Sequence, residues 1–239
     1  MTQALHDQID PTSLNAVFAS CDPAKIVKWA AQAFGPEQLV MSSSFGADSA
    51  VLLHLATRVM PDLRIIFINT GFLFPETDAF MEQLRAQMGL NVRTYRPQRD
   101  PIEWLRQNNE HDSSHRNDVD LCCAINKNEP FDRAMRELAP RAWLRGIRRD
   151  QATTRANRPF VEWSDRFNCY AISPLLNWST REVREYMKQH DLPSHPLVEK
   201  GYASIGCRPL SCTRPIQIGE DSRAGRWSGS SKTECGLHL

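Results

Sequence analysis

One stretch constrains the fold more than any other: Met41-Ser42-Ser43-Ser44-Phe45-Gly46-Ala47-Asp48-Ser49-Ala50-Val51-Leu52-Leu53-His54-Leu55. A short run over 38–40 leads into it and apolar residues at helical spacing follow, so it reads as a strand, a tight polar turn and a helix. Such a turn is suited to anions, because the N–H groups at a helix start carry about half a positive charge and lack intrahelical partners. Ser43, Ser44, Gly46, Ala47 and Ser49 are small enough for a phosphate to come close, and Asp48 or Ser49 is placed to cap the helix. A capped strand-to-helix turn without a ligand has the same signature, so the stretch alone does not define a site.

The flanking pattern sets the fold class. After a helix over 48–60 comes a continuous apolar strand, Leu63-Arg64-Ile65-Ile66-Phe67-Ile68. The turn Asn69-Thr70-Gly71 follows, then a helix over 75–88 with Pro75 near its start, and a strand over 92–95. A helix over 126–138, strands over 142–145 and 169–173, and a capping box Ser179-Thr180-Arg181-Glu182 opening a helix to His190 complete the pattern. Continuous apolar strands alternating with helices predict an α/β fold, a mostly parallel twisted sheet with helices on both faces. Two strand ends, at the Ser-rich turn and at Asn69, open toward one edge, where ligands of such sheets bind.

The 239 residues are organised as a single domain. Residues 1–35 form a helical cover, its pattern running over 11–34 and closed by Gly35-Pro36, and 36–200 form the α/β core. From 201 the composition changes: residues 201–239 hold six glycines, few large aliphatics and three of the seven cysteines. They cannot build a core and are expected as a mobile C-terminal tail draped over the domain. Residues 107–118 are polar and aperiodic, so His111 and His115, although four apart, are read as part of a solvated loop.

No apolar run approaches the roughly 20 residues of a membrane span, and 1–10 lack the pattern of a signal peptide, so a cytoplasmic protein without a membrane partner is expected. The net charge of +1 argues against coating nucleic acid. Charge is uneven, however: between 141 and 158 six arginines (Arg141, Arg145, Arg148, Arg149, Arg155, Arg158) face one acid, Asp150, a patch that suits either a compact anion or a solvated surface.

Cytosolic thiols stay reduced, which favours metal ligation or catalysis over a disulfide framework. Cys122-Cys123 are adjacent and polar in setting, with Cys207 and Cys212 about eighty residues on; four thiolates from two segments suit a tetrahedral zinc or an iron–sulfur cluster. Cys235, with Lys232 and His238 nearby, has the setting of a thiolate nucleophile on a flexible arm. Cys21 and Cys169 read as packing residues.

These residues carry a resemblance. Ser43-Ser44-Phe45-Gly46-Ala47-Asp48, Asn69-Thr70-Gly71 with Pro75-Glu76-Thr77, Cys122-Cys123 with Lys127, Gly146-Ile147-Arg148-Arg149-Asp150-Gln151, Arg223-Ala224-Gly225-Arg226-Trp227 and Glu234-Cys235-Gly236-Leu237-His238 resemble the adenylyl-sulfate (APS) and phosphoadenylyl-sulfate (PAPS) reductases, relatives of the PP-loop ATP pyrophosphatases. The resemblance runs from about Leu39 to the end. It implies a PP-loop (adenine nucleotide alpha hydrolase-like) fold and thioredoxin-dependent reduction of APS to sulfite and AMP in sulfate assimilation. Cys235 would be the nucleophile, through an S-sulfocysteine.

The resemblance further implies that the loop from Ser43 to Ser49, Lys127, Arg148, Arg223, Arg226 and His238 contact substrate. Cys122, Cys123, Cys207 and Cys212 would hold a 4Fe-4S cluster, which acts by its field and by bracing the site, and which marks the APS-using branch. The reductant would be an external thioredoxin; homo-oligomerisation is left open. One departure is visible: Cys207-Arg208-Pro209-Leu210-Ser211-Cys212-Thr213-Arg214-Pro215 is two residues longer than the family's usual segment, so this loop must bulge to offer both sulfurs. The alternatives are a PAPS or dual-specificity reductase, an ATP-dependent adenylating or thiolating PP-loop enzyme, and a metal-stapled nucleotide-binding module without catalysis.

Overall fold

A computed structural model of the chain describes residues 9–107, 118–208, 212–217, 220–228, 230, 232–234, 236 and 237. Six strands form one sheet: β1 (Leu39–Ser42), β2 (Arg64–Ile68), β3 (Asn91–Tyr95), β4 (Ala142–Leu144), β5 (Val161–Ser164) and β6 (Cys169–Ile172), in the order β3-β2-β1-β4-β6-β5. Every pairing is parallel except that of β5 with β6. The expected α/β sheet is thus present, with β5 as an addition at its edge. Only Val161 of β5 is buried, so no apolar run announces that strand in the sequence.

The helices are α1 (Pro11–Phe18), α2 (Pro23–Gln38), α3 (Ser49–Val59), α4 (Pro75–Met88), α5 (Pro101–Gln107), α6 (Val119–Cys123), α7 (Glu129–Leu138) and α8 (Thr180–Gln189). The single N-terminal pattern over 11–34 divides into α1 and α2. Asp10 and Asp22 each accept backbone N–H groups and each precede a proline at the first helical position, which is how two helices start rather than one. Gly35, at φ 67°, bends α2 before Pro36. Of the polar stretch 107–118 only the ends are described: Gln107 closes α5, and Asp118 caps α6 by accepting the Leu121 N–H at 2.8 Å. His111 and His115 lie outside the described residues.

Neighbours along each strand alternate between two cores, as a period of two requires. Met41, Ile65, Phe67, Leu144 and Ile172 enter a large core shared with α2, α3, α4 and α8. Val40, Ile66, Trp143 and Ala171 enter a smaller one with Phe131, Ala134 and Met135 of α7. Trp227 and Leu237 belong to that smaller core, so the tail completes the second face as well as draping over it. The chain runs outward from β1 to β2 and β3, then returns to the other side of β1 as β4. The crevice of a doubly wound sheet therefore falls between the carboxyl ends of β1 and β4.

Candidate active site

The loop after β1 is built by its own side chains. Ser43 N–H continues the sheet ladder to Ile66 O at 3.0 Å, and Ser43 Oγ accepts the Phe45 N–H at 3.1 Å. Phe45 takes a positive φ of 48° and turns its ring, 0% exposed, edge-on against Phe67 at 5.1 Å. That ring anchors the loop in the core, so Phe45 offers a ligand only its backbone. Ser43, Ser44, Gly46, Ala47, Asp48 and Ser49 line a cavity at the switch point. Asp48 stands at the N-cap of α3 but makes no capping bond; its carboxylate accepts instead from Arg148 Nη1 at 2.6 Å. The positive end of α3 therefore reaches the cavity without a side-chain cap, the condition for binding an anion.

Arg148 comes from the loop after β4. It is 2% exposed and also donates through Nε to Asp150 at 3.0 Å and through Nη2 to Thr180 at 3.0 Å. Its cavity-lining guanidinium thus braces the two loops against each other. Most of the arginine-rich stretch is similarly engaged: Arg145 and Arg158 pair with Glu162, and Arg155 with Glu234. Arg149 donates to the Asn177 side chain and, at 2.8 Å, to the Arg158 carbonyl. The stretch is accordingly not an open anion surface, because acids distant in sequence neutralise much of it.

Lys127 contrasts with these arginines. It lies in a π-helical turn, Ala124–Asn128, that joins α6 to α7 and makes one continuous but distorted helix where the sequence predicted a start at 126. Such a widened turn re-aims side chains and recurs at functional sites. Lys127 lines the cavity half-buried, and among the described residues no carboxylate pairs with it.

The same turn follows Cys122 and Cys123. Both line the cavity, as do Cys207 and Cys212, so the fold brings all four predicted ligand positions to one cavity. Asn126, 1% exposed, donates to the Cys122 carbonyl at 3.1 Å and points the same amide at Cys122 Sγ, 3.7 Å away, while its Oδ1 has no partner. Cys207 Sγ lies 3.4 Å from Thr70 Oγ1, and Cys207 bridges Leu73. Among the described residues no three of His, Cys, Asp and Glu close on a single-ion site. Four thiol side chains on one cavity are the donor chemistry of a zinc or an iron–sulfur site. Cys169, by contrast, is buried in β6, and burial pushes its thiol up to about 12, which leaves it a packing residue.

The tail forms the other wall. Arg226 N–H bonds to Arg223 O at 2.8 Å, so this segment turns and gathers both arginines at the rim. Their guanidinium carbons lie 5.4 and 4.5 Å from the Trp227 ring centroid, with Lys232 Nζ at 5.8 Å, so one indole holds three cations. Gly206 makes room for this arrangement, since a Cβ there would meet Arg226 Nη2 at 2.3 Å. Lys232 is also paired with Asp120 of α6. Cys235 and His238 lie outside the described residues, but Glu234, Gly236 and Leu237 are described. Glu234 is 7% exposed and engaged by Arg155, Arg223 and Thr154; Leu237 is 8% exposed and lines the cavity. Arg155, Gln151, Thr70 and Asn126 received no role from the sequence, because each acts through a partner brought close only by folding.

A mostly parallel α/β sheet with a small-residue loop at its switch point and an uncapped helix behind it is the architecture of the PP-loop fold class. The chain matches the phosphoadenosine phosphosulfate reductase domain over residues 38–215, and it belongs to that family. It is 43% identical over 215 residues to the adenosine 5'-phosphosulfate reductase of Streptomyces coelicolor, covering 90% of this chain and 87% of that one. It is 39% identical over 239 residues to the phosphoadenosine 5'-phosphosulfate reductase of Gloeobacter violaceus, covering 96% and 95%. Among solved structures, the phosphoadenylyl-sulfate reductase of Candida auris in a phosphate complex superposes with a TM-score of 0.71 at 28% identity, covering 82% of this chain and 93% of that one. The family, the fold and the enzyme class implied by the motifs, an oxidoreductase acting on sulfur groups, are borne out. Among the described residues, no helix is long and apolar enough to cross a membrane.

Proposed function

We propose that this protein reduces adenylyl sulfate to sulfite and AMP with electrons from an external thioredoxin. The observation that supports this most is the convergence at one cavity of the phosphate loop, Lys127, Arg226, four cysteines and Leu237, two residues after Cys235. The phosphosulfate lies with its phosphate at the start of α3 and its sulfate toward Lys127 and the Trp227-held arginines.

The Cys235 thiolate attacks the sulfate sulfur. An S–S bond forms, the S–O bond to the phosphate breaks, and AMP leaves with the electron pair; charge growing on the phosphate is stabilised by the helix start and the cations. A thioredoxin thiolate then attacks Cys235 Sγ, and sulfite departs with the S–S electron pair. The second thioredoxin thiol resolves the mixed disulfide, so two electrons pass in all and Cys235 is regenerated.

Cys122, Cys123, Cys207 and Cys212 would hold a 4Fe-4S cluster, which would brace the cavity and set the local field. His238 orients the tail or assists thiolate formation. Arg148 supports the phosphate loop through Asp48. A catalytic cytoplasmic enzyme of this kind needs neither a membrane nor a nucleic acid.

Sulfite release from APS and from PAPS, with thioredoxin, tests the proposal; release from APS together with a thioredoxin-reversible sulfo adduct on the Cys235 peptide is expected. PAPS turnover at equal or greater kcat/KM would favour the second reading, to which the names of the Gloeobacter and Candida relatives point. Iron and acid-labile sulfide in anaerobically purified protein test the cluster, and their absence would remove it.

A further inference from the structure

One well-satisfied buried charge beside the cavity lies neither in the phosphate loop nor among the expected substrate cations. Glu234, in the tail, is gripped by a two-pronged arginine: Arg155 Nε donates to Oε1 at 2.7 Å and Nη2 to Oε2 at 2.8 Å. Thr154 Oγ1 donates to Oε1 at 3.0 Å and Arg223 Nη2 approaches Oε2 at 3.4 Å. Both partners are almost wholly enclosed, the side chains 8% and 5% exposed. Burial alone would raise the Glu234 carboxyl, but the bonds from Arg155, with Arg223 and Thr154, lower it below its ordinary value.

The grip is tied to the rigid side of the cavity. Gln151 Oε1 accepts from Arg155 Nη1 and, at 3.1 Å, from the Arg148 N–H; Arg148 in turn holds Asp48 of the phosphate loop. A chain of polar contacts therefore runs from the phosphate loop to the residue before Cys235.

Resting on the proposed role of Cys235, we propose that Arg155 is a positioning residue that clamps Glu234 and so sets where the adjacent thiol meets the bound sulfate. An ion pair enclosed on both sides tends to break as a unit, because separating it leaves a buried charge without a partner. Glu234 can regain solvation by swinging into water, but Arg155 is then left buried without its carboxylate, so the closed arrangement is the resting one. Arg155 lines the cavity, but three of its five N–H donors are spent on Glu234 and Gln151, so in this scheme it holds the tail and not the substrate.

The test uses the full-length protein with Arg155→Ala, Glu234→Gln and the exchange Arg155→Glu/Glu234→Arg. Loss of the clamp is expected to lower kcat about 100-fold, as a misplaced reacting atom does, with KM for the substrate within about threefold. Iodoacetamide labelling of the Cys235 peptide, followed by mass spectrometry, is expected to accelerate roughly tenfold as the thiol is exposed. The exchange variant is expected to recover part of both. A raised KM at unchanged kcat would assign Arg155 to the substrate and overturn the clamp, as would labelling that does not change. Labelling needs no substrate, so a wild-type protein inactive on APS and PAPS would sink the proposed function while leaving the clamp measurable.

Discussion

The two walls of the cavity are made in different ways. One grows from the ends of β1 and β4, and its backbone continues a hydrogen-bonded ladder; Ser43 is still in register with β2. The other is the tail, attached by one isolated bridge, Leu73 with Cys207, folded on itself by a second, Thr213 with Arg226, and otherwise held by side chains such as Glu234 on Arg155 and Arg166 on the Gly236 carbonyl. A wall continuous with the sheet opens only with the fold, whereas a wall held by side chains can open alone. That division suits the proposed chemistry, in which one thiol meets the substrate and then a protein reductant. The largest effect should come from the tail: Cys235→Ser is expected to lower sulfite formation by roughly 10⁴-fold or more, as loss of a nucleophile does. AMP affinity, measured by calorimetry, should stay within about threefold. Retention of a tenth of the activity would mean that the strand-side wall carries the chemistry.

Next in size is the cation of the strand-side wall that no acid among the described residues neutralises. Lys127→Ala is expected to lower kcat/KM by about 10² to 10³-fold, the range for removing one group that stabilises developing charge. Lys127→Arg should recover part of the loss, with circular dichroism unchanged. If Lys127→Ala only raised KM severalfold, the lysine would be a general binding contact and not a group felt mainly in the transition state.

The strand-side wall was legible in the sequence because its signals are local. Apolar runs marked β1, β2 and β4, Ser179 and Glu182 do form the capping box, and the small residues of the phosphate loop do line the cavity. The tail wall was legible in its motifs but not in its contacts. Six arginines within 141–158 looked like one positive surface, yet Arg155 meets an acid 79 residues away and Arg148 one 100 residues away. No window along the chain contains both partners. The π-helical turn that places Lys127 also left no mark, because its apolar spacing differs little from that of the helix around it.

Two glycines separate the walls more finely. Gly71 has φ 78°, and a Cβ there would meet Pro101 Cγ at 2.3 Å; Gly236 also has φ 78°, and a Cβ there would meet Asn128 Nδ2 at 2.9 Å. Gly71→Ala strains the turn after β2 and should cost the whole fold about 2–4 kcal/mol in urea unfolding. Gly236→Ala strains only the tail, so it should lower kcat about tenfold at a global cost under about 1 kcal/mol. Equal destabilisation by both would show that tail and sheet unfold together and would end the distinction.

The smallest effect concerns the root of the tail. His195, 0% exposed, accepts the Leu197 N–H through Nδ1 at 3.1 Å, so its proton lies on Nε2 and is donated to Thr77 Oγ1 of α4 at 3.1 Å. Phe80 packs edge-on against it at 5.1 Å, and Glu76 is the charged group that acts on it. Burial lowers the imidazole to about 4 from an ordinary 6.5, with Glu76 opposing only in part. The unfolded chain therefore takes up a proton between those values while the folded protein does not. Stability is fully present above pH 6.5 and is lost as the pH falls toward 4, by about 1 kcal/mol at pH 5.5 and about 3 kcal/mol at pH 4. His195→Asn removes this step but retains a residue able to cap the turn at Pro196–Val198. Urea midpoints at pH 7.5 and 5.5 should then differ by about 1 kcal/mol more in the wild type than in the variant. Identical losses in the two proteins would mean that acid acts on the carboxylate pairs, such as Asp48 with Arg148, and that the strand-side wall is the one that weakens first.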